Sequence, residues 1–118
     1  MDNSRFKFRA YWKKEKRICP VILISFYNDR IYIITGTLDG KKTGRFITHE
    51  ECVLMQSTGL KDVGGVEIFE GDRVTEGGLE GVIVWEKKYA RFVIETPTAK
   101  IGLYMFMGKV VGNVHERV

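Results

Sequence analysis

Alanine is scarce in this chain, three among 118, and there are only two prolines, two cysteines and two histidines. The first shortage excludes a helical bundle. Val, Ile and Thr together number 31, and β-branched side chains lose rotamer freedom in helices while fitting a pleated sheet. Two cysteines do not make a disulfide framework. Cys19 and Cys52 each sit in apolar surroundings and read as buried, reduced thiols of a cytosolic protein. A long apolar run is also missing. The longest, Ile18 to Tyr27, holds Pro20 and Ser25, whereas a spanning helix needs roughly 20 apolar residues. Asn28-Asp29-Arg30 follows it where a secretory cleavage site would have small residues, so neither a membrane span nor a signal peptide is expected.

Catalytic patterns are missing too. There is no Ser/His/Asp set, P-loop or dinucleotide fingerprint. His49 and His115 have no carboxylate or nucleophile partner in the sequence, which leaves general acid–base chemistry without a candidate. His49-x-x-Cys52 has the spacing of two metal ligands, but a closed zinc site needs four. No enzyme, cofactor or metal is expected.

What the chain does have is a composition of 44% hydrophobic and 29% charged residues, which marks a folded, soluble protein of one ordinary domain. The net charge of +4 is uneven. Residues 1–51 hold 11 basic and 6 acidic groups, and residues 52–118 hold 8 and 9. The basic excess therefore belongs to the N-terminal part. Phe6, Phe8, Ala10 and Trp12 alternate with charged residues, a period-two pattern that predicts a strand over residues 5–12 with a charged turn at Lys13 to Arg17. Ile18 to Tyr27 and Ile31 to Thr37 read as a hairpin around Asn28-Asp29. Leu38 to Gly44 reads as a loop. Thr48 and Glu51 are spaced as a capping box over one helical turn, and Cys52 to Gln56 returns to a strand.

From residue 59 to residue 81 seven glycines punctuate the chain. Short Val/Ile/aromatic runs follow them at Val66 to Phe69, Val82 to Trp85, Phe92 to Ile94, Ile101 to Met107 and Lys109 to Val114. Short strands with glycine turns predict a small barrel or sandwich. In Ile101 to Met107 both faces are apolar, with Ile101, Leu103 and Met105 on one and Tyr104 and Phe106 on the other. A sheet wet on one side alternates cleanly, so the outer face is expected to be covered by the N-terminal half or by a second subunit.

Three segments resemble the YopX family, small proteins of bacteriophages and prophages. They are Phe6-Lys7-Phe8-Arg9-Ala10-Tyr11-Trp12, the block from Leu54 to Lys61-Asp62 continuing through Gly65 and Glu67 to Val74, and the closing Val110-Val111-Gly112-Asn113-Val114-His115-Glu116. They span nearly the whole chain. Ser57 stands where the family tends to have an aromatic residue. The resemblance implies a mostly β fold whose C-terminal part is an SH3-like barrel, and a product acting in a bacterial host cytoplasm. It carries over no catalytic or ligand residue, because the family has no assigned function.

The expectation is an all-β protein, 1–118 as one domain, with a basic β segment over 1–51 packed on an SH3-like small barrel over 52–118. Its function is read as a non-enzymatic accessory protein that binds a host or phage protein. Tyr104 and Phe106 are the candidate interface, including one between copies of the chain. The alternative is binding of DNA or RNA by Arg5, Lys7, Arg9, Lys13, Lys14, Lys16 and Arg17, with Lys87, Lys88 and Arg91 as a second cluster. If the charges of the first strand face solvent, its aromatics face the core and cannot stack on bases. Thr58, Gly59, Leu60, Lys61, Asp62, Gly71, Asp72, Gly112 and Asn113 read as structural turn residues; the competing reading puts Lys61, Asp62 and Asp72 in a polar site.

Overall fold

Eleven strands, antiparallel wherever they pair, and three one-turn 3₁₀ segments account for most of residues 7–116, the part of the chain described by this computed structural model. The chain divides into two units, residues 7–56 and the residues from 57 on. The mainly β class expected from the scarcity of alanine is what the structure shows.

The first unit is a meander. β1 (Phe8–Trp12), β2 (Arg17–Ser25), β3 (Arg30–Leu38) and β4 (Lys41–Ile47) lie side by side, and the start of β5 (Cys52–Lys61) pairs with the free side of β1, giving the order β4-β3-β2-β1-β5. Alternation places Ala10 and Trp12 of β1 on the same face as Cys19, Ile31, Ile33, Ile47 and Cys52, and this set forms the core. β4 corrects the loop read over Leu38 to Gly44: only Asp39-Gly40 turns, with Asp39 at φ 51° and Gly40 at φ 75°. The 3₁₀ turn His49–Glu51 begins as its sequence signature requires. The Glu51 carboxylate accepts the Thr48 N–H at 3.0 Å and the Thr48 hydroxyl at 3.1 Å.

That turn also ties together two hairpins. Its Glu51 carbonyl accepts the Lys13 N–H at 3.0 Å, and its His49 N–H donates to Asp29 Oδ1 at 2.9 Å. Lys13 and Asp29 follow opposite ends of β2, so a single short turn reaches both only because the sheet coils strongly. A register shift between Val21 and Leu23 supplies the bend in β2.

In the second unit the rest of β5 pairs with β6 (Glu67–Phe69). β7 (Asp72–Glu76), β8 (Leu79–Glu86), β9 (Arg91–Glu95), β10 (Lys100–Gly102) and β11 (Lys109–Asn113) form a five-stranded sheet of order β10-β9-β8-β7-β11. Ile68, Val74, Ile83, Ile94 and Leu103 are its buried core. The sheet stays open, with β10 and β11 as edges, and in this it differs from the barrel expected. The cause is local. Ile101 to Met107 is not one strand: β10 ends at Gly102 and a 3₁₀ turn over Leu103–Met105 follows, leaving too little extended backbone to close onto β11. In that turn Leu103 is buried, Tyr104 is 81% exposed, and Phe106 just beyond packs half-buried against the core.

Candidate functional site

The family-like block is built as a set of backbone clamps. Asp62 Oδ1 accepts the Gly64 and Val66 N–H groups at 2.8 and 2.9 Å, and its Oδ2 accepts the Val110 N–H at 2.9 Å, joining positions 48 residues apart. The bond from Val110, then that from Val66, holds the Asp62 carboxyl below its usual range. Gly65 closes the turn at φ 82°, a conformation that favours glycine. Asp72 is 1% exposed, and its Oδ2 accepts the Phe69 N–H at 2.8 Å. The Thr58 hydroxyl donates to the Ile68 carbonyl at 2.8 Å and accepts the Leu60 N–H at 3.1 Å. The Gly59 N–H donates to Ser57 Oγ, and the Gly71 carbonyl accepts the Val114 N–H. Asn113 Nδ2 donates to Glu116 Oε1 at 3.0 Å, and a Cβ on Gly112 would meet the same carboxylate. Lys61 is exposed on β5. Both oxygens of Asp62 and Oδ2 of Asp72 thus accept backbone donors.

The basic residues of the first hairpin do not form one face. Arg5 lies outside the described residues. Lys7 is exposed and Arg9 half-buried. Lys13 Nζ is held by the Glu50 carbonyl at 2.9 Å. Arg17 lies on the same face as Cys19 and Trp12: it stands across from Trp12 in the register, its Cζ lies 5.6 Å from the Trp12 ring, and its Nη2 donates to the Thr35 carbonyl at 2.8 Å and to Glu15 at 2.9 Å. Arg45 of β4, absent from the sequence-based set, lies over the same ring at 5.2 Å. Trp12 is 3% exposed, and its indole N–H is buried without an acceptor among the described residues. In the second unit Arg91 is paired with Glu86 at 2.9 Å and, with Lys88, flanks the Tyr89 ring; Lys87 is exposed.

Sequence reasoning also passed over the far end of the β2–β3 hairpin. Leu23, Tyr32 and Phe46 stand directly across from one another on β2, β3 and β4. The Tyr32 and Phe46 rings meet edge-on at 4.9 Å, and Arg30 lies 5.6 Å above Phe46. The close approach rests on Gly44, where a Cβ would come within 2.7 Å of the Tyr32 ring. Leu23 and Phe46 are about half exposed, and in the adjoining turn Phe26 is 78% and Tyr27 101% exposed. The turn itself is rigid. Asp29, at φ 52°, accepts both the backbone N–H of His49 and its Nδ1, the latter at 2.5 Å, and these bonds lower the Asp29 pKa. Phe26 stacks against the His49 ring at 5.3 Å. The signal for this row lay in the apolar spelling of residues 21–27, broken only by Ser25, apolar at exposed as well as half-buried positions.

Cys19 and Cys52 are free and buried, and burial pushes both thiols up. No group of metal-ligating side chains occurs among the described residues, and no helix there is long and apolar enough to cross a membrane.

A family model described as YopX protein matches residues 7–117. Among solved structures, the crystal structure of protein EF1440 from Enterococcus faecalis is similar to this chain at 31% identity, with a TM-score of 0.63 and 93% of each chain covered. Among curated proteins there is no match.

Proposed function

The chain belongs to the YopX family, and we propose that it is a non-enzymatic accessory protein of a phage or prophage that acts in the host cytoplasm by binding another protein. The observation that carries this reading is the aromatic end of the first unit. Leu23, Tyr32 and Phe46 form a cross-strand row continued by Phe26 and Tyr27, with Arg30 beside it. Isolated apolar side chains on a surface mean little, but a contiguous row is what a protein interface buries. Tyr, Phe and Arg are the residue types enriched there. The Asp29–His49 bonds hold the turn in place before a partner arrives, which lowers the ordering cost of binding. Cys19 and Cys52, free and buried, suit a reducing compartment.

The test is site-specific photo-crosslinking in host cells. A crosslinking residue at Tyr27, which is fully exposed, is expected to trap one discrete protein species, and the same probe at Lys87 is not. Replacing Phe46 by Asp in the Tyr27 probe should remove that species. No crosslink at Tyr27, or the same smear of products from both positions, refutes the proposal.

A further inference from the structure

The opposite end of the same strands has the reverse character. In a meander successive turns alternate between the two ends of a sheet, so the β1–β2 turn and the β3–β4 turn come out together. β2 and β3 are neighbours, and Arg17 at the start of β2 bonds to the Thr35 carbonyl near the end of β3. Lys42 stands across from Thr37, and Lys41 from Leu38. Lys14, Lys16, Arg17, Lys41 and Lys42 are thereby gathered from two separated stretches of sequence, against Glu15 and Asp39 as the acids of these two turns; Arg45, which the register sets beside Phe46 farther along β4, reaches them through the Trp12 ring it shares with Arg17. All six are exposed. Among the described residues Glu15 answers Arg17 alone. Arg45 has no carboxylate partner among the described residues; it is steadied by the Trp12 ring, a contact that fixes a guanidinium without neutralising it.

We propose that this end binds nucleic acid through the phosphate backbone. Lys42 on β4 stands across from Thr37 of β3, so β3 separates it from Arg17 on β2, a spacing of about 10 Å at about 5 Å per strand; the six charges form a spread array suited to a repeating polyanion. A protein partner would need an apolar centre, and apart from Leu38 this end has none. Among the described residues it also has no exposed ring on which a base can stack: Trp12 is buried beneath its two arginines and Tyr11 beside it is half-buried. Binding is therefore indifferent to sequence and strongly salt-dependent. Apart from Arg45, the neighbour of Phe46 on β4, this surface is separate from the aromatic row, and either can fail without the other.

The experiment is fluorescence anisotropy with labelled duplex DNA, single-stranded DNA and RNA. Affinity should fall by about two to three orders of magnitude between 50 and 200 mM salt if four to six phosphates are contacted. Lys41→Glu with Lys42→Glu, and separately Lys14→Glu with Lys16→Glu, should each weaken binding at least about tenfold and flatten the salt slope. Circular dichroism should show both variants folded, since these side chains are exposed. Lys13 is left alone because its ammonium also fastens the 3₁₀ turn. Lys87→Glu with Lys88→Glu in the second unit should leave affinity unchanged. The proposal is overturned by no binding at 50 mM salt, by binding that only the Lys87/Lys88 variant removes, or by equally tight binding of poly-glutamate.

Discussion

Trp12 offers a sharp test of how the first unit is held together, because its two natural truncations should behave very differently. Its indole is buried in the core with Ala10, Cys19 and Cys52, it carries two guanidiniums on its ring, and its N–H finds no acceptor among the described residues. Trp12→Phe removes roughly 40 Å² of buried apolar surface, a loss of about 1 kcal/mol. It weakens two cation–π contacts, each worth about 0.5–1 kcal/mol at such a site. Against this it removes an orphaned donor, whose burial costs about 1–3 kcal/mol. The terms offset, and the net change should stay within about 1 kcal/mol of zero. Trp12→Ala gains the same relief but empties the site, and should cost about 3–5 kcal/mol. Urea unfolding followed by far-ultraviolet circular dichroism measures both, while Trp85, at the other end of the chain, remains as a fluorescent reporter of the second unit. A loss of about 3 kcal/mol or more for Trp12→Phe would refute the reasoning, because it would mean that the indole N–H is bonded in solution.

Two further predictions concern the second unit. Asp62 is held ionised by three backbone donors, so its folded pKa lies below the unfolded one, near 3.9. Its stabilisation is present above that value and is lost as pH falls through the lower, folded pKa. Asp62→Asn should therefore unfold at lower urea than the parent at pH 7 and lose less of its remaining stability below pH 4; parallel curves would contradict this. Phe106→Glu drives a charge against Ile68, Val74 and Ile83 and should cost at least about 2 kcal/mol, while Tyr104→Glu, on an exposed ring, should stay within about 0.5 kcal/mol. The reverse ranking, measured by the same urea titration, would put Phe106 on the surface.

Much of the fold is legible from residue type alone. The Thr48/Glu51 box, the glycine-backed turn at Asp62 and the strands with clean alternation all follow from short-range chemistry that neighbouring residues decide. β4 did not announce itself, because an edge strand has one free side and spells Lys-Lys-Thr-Gly-Arg, polar enough to pass for a loop. Ile101 to Met107 misled in the opposite way. Its unbroken apolar run fits a buried strand, yet a 3₁₀ turn with three residues per turn also buries Leu103 while throwing Tyr104 outward. The open edge of the second sheet is a direct result of that substitution of one geometry for another. The basic segment was legible as charge but not as surface: alternation assigns Arg5, Lys7 and Arg9 to one face, and nothing local reveals that Arg45 of β4 joins Arg17 over the Trp12 ring.

The candidate surfaces are products of topology in the same sense. A four-strand meander has three turns, the first and third at one end and the second at the other. Here the first turn is Lys-Lys-Glu-Lys, the third leads into Lys41-Lys42, and the second is Phe-Tyr-Asn-Asp. Read along the chain, basic and aromatic segments simply alternate. Folded, that alternation sorts them onto opposite ends of β2 and β3. The sorting also explains why each end is pre-arranged, since the 3₁₀ turn His49–Glu51 is bonded to Lys13 at one and to Asp29 at the other. Breaking the Asp29–His49 bonds with Asp29→Ala should therefore loosen the aromatic turn while leaving the lysines of the β3–β4 turn in place. A loss of crosslinking at Tyr27 with nucleic-acid affinity intact is the pattern that two independent surfaces on one sheet require.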